Sequence, residues 1–168
     1  NCFKEAVCIN AGRVYDSCSD KDCIDCLRVY FTDSGQAAIN AASNVKCKGV
    51  KVLDVYMDVE PVPFNKGFYS VDMTFYFGVQ VETICPTSLT PVITTGLAVF
   101  TKKVILYGSE GNVSVFTSDS SGGGYPNGGA PKASVQVVNP ICLACKLKEC
   151  CPTECAITLP AAIDELFE

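Results

Sequence analysis

The sequence predicts an all-β fold: an antiparallel β-sandwich of the jelly-roll or Ig-like type, with a cysteine-rich segment at each end. Three observations predict it. Tyr69, Val71, Met73, Phe75, Phe77, Val79 and Val81 alternate with Ser70, Asp72, Thr74, Tyr76, Gly78, Gln80 and Glu82, the period of an antiparallel strand with one buried face. About seven or eight short runs of this kind, separated by turn residues, fit within 168 residues, the size of a single domain. The 12 cysteines mostly avoid this middle, with five at Cys2, Cys8, Cys18, Cys23 and Cys26 and five at Cys142, Cys145, Cys150, Cys151 and Cys155. The expected organisation is a cysteine-rich segment over 1–26, a sandwich over 27–141, and a cysteine-rich segment and tail over 142–168. A closed barrel is the alternative for the middle.

In chain order, "GRVYDSC" and "CLRVYFTD" read as strands, with Tyr30 and Thr32 facing one way and Phe31 the other. "GQAAINAASNV" has helix propensity through its alanines, and a wide loop or a strand remains open there. "KVLDVYMDVEPV" is a strand setting Val55, Met57 and Val59 against Tyr56, Asp58 and Glu60. "PFNKGF" carries the Pro, Asn and Gly of a turn into the clearest strand. "TTGLAVFTKKVILYG" is a third strand, and "YGSEGNVSVFTS" a hairpin continued by Val113, Val115 and Thr117. "SDSSGGGYPNGGAP" is a loop that cannot build a core, and "KASVQVVNP" a further strand. "PAAIDELFE" reads as a short amphipathic helix or a docking tail, with Pro160 at its first position and Ile163, Leu166 and Phe167 on one side.

Composition narrows function. Formal charge is -5 and the few lysine groups are small and scattered, which argues against a nucleic-acid footprint or an anionic-membrane binder. No apolar run reaches the length of a membrane-spanning helix, and no secretory signal stands in the sequence. Histidine is absent, removing Ser-His-Asp and Cys-His pairs and the commonest metal ligand. The expectation is a protein that is not an enzyme and carries no cofactor. "GSEG" and "SGGGYPNGG" lack the Lys-Ser/Thr and strand-to-helix context of a phosphate loop. "DSCSDKDCID" sets oxygen ligands at calcium-like spacing without an EF-hand's Gly and terminal Glu, and reads as a solvated acidic turn. Tyr69, Tyr76, Tyr107 and Tyr125 offer a sugar-stacking platform only if they converge; packing in or on the sheet is the default.

The cysteines carry most of the argument. At about this abundance they point to an oxidising or extracellular destination, and an even number permits full pairing without fixing connectivity. Cys23-x-x-Cys26 lacks the βαβ context of a redox motif. Cys142-x-x-Cys145 followed by Cys150, Cys151 and Cys155 makes a poor zinc knuckle. A set of Cys23, Cys26, Cys142 and Cys145 is better spaced, provided the two ends meet. Adjacent Cys150 and Cys151 sit about 3.8 Å apart at Cα, below the usual disulfide range, so they go to different partners. They are the pair first assigned to reaching a neighbouring subunit. The sequence leaves intramolecular and intersubunit pairing open and expects a mixture, involving Cys47 and Cys85 as well.

At "RVYDSCSDKDC", "LRVYF", "GFYSVDMTF" and "KKVILYGSEGNV" the sequence resembles a family of cysteine-containing proteins of anaerobic spore-forming Firmicutes, mainly clostridia, over most of its length. The resemblance implies a lineage and no activity. A looser, architectural resemblance is to endospore-appendage and surface-fibre subunits, small β-sandwiches whose terminal cysteines lock neighbours. It implies no residue roles.

These readings converge on a structural protein of an extracellular, cell or spore surface. It would assemble with itself as a homo-oligomer or filament, through disulfides within and between chains. The alternatives are a surface- or glycan-binding module using the Gly/Ser/Pro loop and exposed tyrosines, and a thiolate metal-binding or electron-transfer protein.

Overall fold

The computed structural model describes residues 6–9, 11–86, 90–110, 131–148, 160 and 163. The chain is mostly β, with little helix. A short helix, α1 (Asp33–Asn40), precedes three long strands, β1 (Asn44–Pro61), β2 (Phe68–Ile84) and β3 (Val92–Tyr107). They form one antiparallel sheet in the order β1-β2-β3. Among the described residues this is the whole regular sheet, and no second sheet faces it.

β2 is central because both of its faces find cover. Val71, Met73, Phe75, Phe77, Val79 and Val81 are buried on one face, and Tyr76 is buried on the other. On the first face Phe75 stacks with Phe77, ring centroids 6.2 Å apart, and meets Phe100 across the ladder at 6.1 Å. β1 contributes Val45, Val50, Val52, Val55, Met57 and Val59 to this core. It begins seven residues before the expected strand because two bulges hide its period. The register shifts between Cys47 and Gly49 and between Val52 and Asp54. Each extra residue reverses the parity, so the inward set runs Val45/Cys47, then Val50/Val52, then Val55/Met57/Val59. Leu53, extruded at the second bulge, lies against Gly78 on the other face.

The expected turn between β1 and β2 is present. Gly67 has φ +81, and its amide oxygen accepts from the Gly108 N–H at 2.7 Å. The Ala-rich stretch is helical only as far as Asn40. Thr32 caps α1, its side chain accepting from the Gly35 N–H, and the chain then turns directly into β1.

Three expected strands, "GRVYDSC", "CLRVYFTD" and "KASVQVVNP", fall in two extended segments without a regular ladder. Residues 12–32 run antiparallel along the free edge of β3. The Asp16 carboxylate accepts from the Tyr107 N–H at 3.0 Å, Lys102 meets Asp20 and Asp22, and Tyr30 and Leu97 exchange backbone hydrogen bonds at 2.7 Å. Residues 131–145 run antiparallel along the free edge of β1. Pro131 lies by Gly108, and the Asn139 side-chain oxygen accepts from the Val52 N–H at 3.1 Å. Ala133 and Val135 turn toward the core. In both segments side chains stand where a partner strand's carbonyls would be, which is why the alternation of a strand is present and its ladder is not.

On the second face Ile163, 1% exposed, packs with Tyr76, Leu97 and Val99. Ile163 thus docks on the chain's own sheet; Leu166 and Phe167 lie outside the described residues. So do the hairpin through Val113, Val115 and Thr117 and most of the Gly/Ser/Pro loop. No helix among the described residues is long and apolar enough to cross a membrane.

Candidate functional site: cysteine segments on opposite sheet edges

The edge segments bring the cysteines to defined places. Asp20 and Asp22 close on the Lys102 ammonium at 2.7 and 2.5 Å. The Lys102 hydrogen bond holds the Asp20 carboxyl below its usual value, and Asp20 in turn raises Lys102. This clamp fixes the stretch holding Cys18 and Cys23 against β3. Further along, Val29 and Phe31 cover Gly96, whose missing side chain leaves room for them. Cys8, Cys18, Cys23 and Cys26 are all exposed. Cys26 has φ +57, a sharp change of direction just before the chain enters the core.

Cys47 stands at the opposite edge, on β1. Its thiol is half-buried, beside the Gly49 carbonyl at 3.8 Å, and no described cysteine stands at disulfide distance from it. Cys145 packs on the same apolar cluster as Cys47. Burial first, and the neighbouring Cys142 thiol second, push the Cys47 pKa up to about 11. Burial likewise raises Cys145. Cys85 is half-buried, just past the end of β2.

The two groups of thiols are far apart. Asp22, next to Cys23, sits at the level of Lys102, which pairs with Met73; Cys47 pairs with Val81. Eight β2 residues separate those levels, about 26 Å at the strand rise, and the width of the sheet adds to it. The combination of Cys23 and Cys26 with Cys142 and Cys145 is therefore not brought together within the chain. Among the described residues no three potential ligands are arranged to hold a metal ion, and none of the eight described cysteines is bonded to another. Cys2, Cys150, Cys151 and Cys155 lie outside the described residues. The association of Cys47 with Cys142 escaped the sequence reading, since nothing local links positions about 95 residues apart.

The tyrosines do not form one platform. Tyr76 is buried on the second face, and Tyr69 lies on the first, with its hydroxyl donating to the Ser109 carbonyl. Tyr107 packs edge-on against Phe68 and Tyr15, and Tyr125 lies outside the described residues.

No family model matches the sequence, and no curated protein or solved structure is significantly similar to it.

Proposed function

We propose that this chain is a structural subunit that assembles with itself into a fibre or layer on an extracellular, cell or spore surface, held by disulfides within and between chains. One observation carries the reading: two cysteine-bearing segments lie along opposite edges of one sheet, with exposed thiols beyond each other's reach in the same molecule. An edge-to-edge approach of two copies puts the β3-side thiols of one beside the β1-side segment of the next, where Cys145 and, further along the sequence, Cys150 and Cys151 are left for bonds between chains. Such a contact is heterologous and generates an open filament unless its rotation closes.

The same edges favour strand addition. Side chains, not a regular ladder, meet the N–H groups of Val52 and Tyr107, and a neighbour's extended segment can replace them. In this reading the single sheet is one layer of a β-sandwich completed by the flanking segments or by a neighbouring copy. Cys150 and Cys151 remain the proposed intersubunit pair from the tail.

The test is electrophoresis of air-oxidised protein with and without thiol, alongside negative-stain microscopy. High-mass ladders and filaments that collapse with thiol are expected. A single monomer band without reductant overturns the proposal.

A further inference from the structure

We propose that Cys47 and Cys142 form an intrachain disulfide latch that fastens the segment 131–145 to the edge of β1. The latch concerns the fold of one chain and stands whether or not subunits are linked.

The placement of the groups carries the inference. β1 is an edge strand, and the bulge after Cys47 leaves its side chain on the core face but at the rim. Along 131–145, the Asn139 side-chain oxygen accepts from the Val52 backbone N–H of β1. Beyond it Cys145 packs, partly buried, on the same apolar cluster as Cys47, so Cys142 lies on the stretch between these two anchors, and its thiol is near enough to act on Cys47. Cys145 points into the apolar cluster, while Cys142 is exposed, so Cys142 is the thiol that solvent reaches first. Both segments can move together: 131–145 has no ladder to break, and the bulge gives β1 local slack.

The chemistry is thiol–disulfide exchange with a low-molecular-weight disulfide as oxidant. The Cys142 thiolate attacks one sulfur of the oxidant, breaking its S–S bond and releasing one small thiolate. The Cys47 thiolate then attacks the Cys142 sulfur of the mixed disulfide and displaces the second. The two protons lost by Cys47 and Cys142 end on the two released small thiols. The two electrons reduce the oxidant, and one bond forms between the two Sγ atoms. The raised pKa of Cys47 slows the second step by keeping its thiolate scarce.

The test uses the full chain, reduced, then treated with oxidised glutathione. The monomeric fraction is alkylated, digested and mapped by mass spectrometry. A Cys47–Cys142 linked peptide is expected as the main intrachain product. Cys47→Ser is expected to leave Cys142 carrying one glutathione, and Cys142→Ser, in an exposed irregular segment, to leave Cys47 alkylated. A dominant Cys142–Cys145 link, full alkylation of wild-type Cys47 after oxidation, or a stoichiometric metal that protects both thiols would each overturn the latch. Because the monomer is mapped, failure of assembly leaves this result readable.

Discussion

Gly96→Ala tests how the N-terminal cysteine segment is held. An added Cβ meets Val29 Cγ1 at 2.6 Å and Phe31 Cε1 and Cδ1 at 2.7 and 2.8 Å. Apolar carbons prefer about 3.5–4.0 Å, so these groups must retreat by nearly 1 Å. Neither is a yielding chain end: Val29 is stiff at χ1, and two atoms of the Phe31 ring are struck at once. Overpacking of this kind costs about 1–3 kcal/mol, while replacing a strand glycine by alanine recovers about 0.5–1 kcal/mol. The net loss is about 1–2 kcal/mol. With a urea m-value of about 1–3 kcal/mol/M, the midpoint falls by about 0.5–1 M in circular-dichroism melts with reductant. Gly78→Ala is the control. Its Cβ meets Leu53 Cδ2 at 3.1 Å, a partly exposed side-chain end that can swing away, so its stability stays within about 0.5 kcal/mol of the parent. If Gly96→Ala is as stable as Gly78→Ala, the close packing of residues 29–31 on β3 is refuted.

Lys102→Met is expected to release the stretch 16–22. Asp20 then titrates upward toward its ordinary value, read by carboxyl NMR, and proteolysis between Asp16 and Asp25 speeds up. Because the folded Asp20 pKa is depressed, the clamp is present above the ordinary carboxyl pKa and is lost as pH falls through the lowered value. The raised Lys102 keeps it intact until pH climbs past the ordinary lysine value. Protection relative to Lys102→Met is therefore flat from about pH 5 to 9 and shrinks with salt; an unchanged Asp20 titration contradicts the clamp. Cys47 in reduced protein should react with iodoacetamide at least about 100-fold more slowly at pH 8 than a free cysteine in solution, since a pKa of about 11 leaves about one thiol in a thousand ionised. Its rate climbs about tenfold per pH unit and levels off near 11. The stability that the raised pKa contributes is complete below the ordinary thiol value and disappears as pH rises through 11. A plateau below pH 10 refutes the burial argument.

The central strand was legible because its alternation is unbroken from Tyr69 to Val81, and the third, read over Thr94–Gly108 from runs apolar on both faces around Lys102 and Lys103, is present as Val92–Tyr107. Most of β1's first half was not, because the extra residues Lys48 and Leu53 shift the inward set twice. The flanking segments were overread. Arg13 to Tyr15 and Lys132 to Val137 alternate as strands do, but Asp16 and Asn139 side chains take the edge hydrogen bonds there, and Pro131 and Pro140 bracket the second segment. The division of cysteines into two end clusters was plain in the sequence. That the described members occupy opposite sheet edges depends on antiparallel register over nearly the whole chain, which no local pattern encodes.

Isotope mixing tests the central claim most directly. Equal parts of ¹⁴N- and ¹⁵N-labelled chain are reduced, mixed, reoxidised and digested, and every disulfide-linked peptide pair is weighed. A link between two chains appears in mixed-isotope masses as well as pure ones; a link within one chain appears only in pure ones. Pairs containing Cys8, Cys18, Cys23 or Cys26 are predicted to include mixed masses, and the Cys47–Cys142 pair only pure ones. Pure masses alone for every pair would contradict covalent assembly.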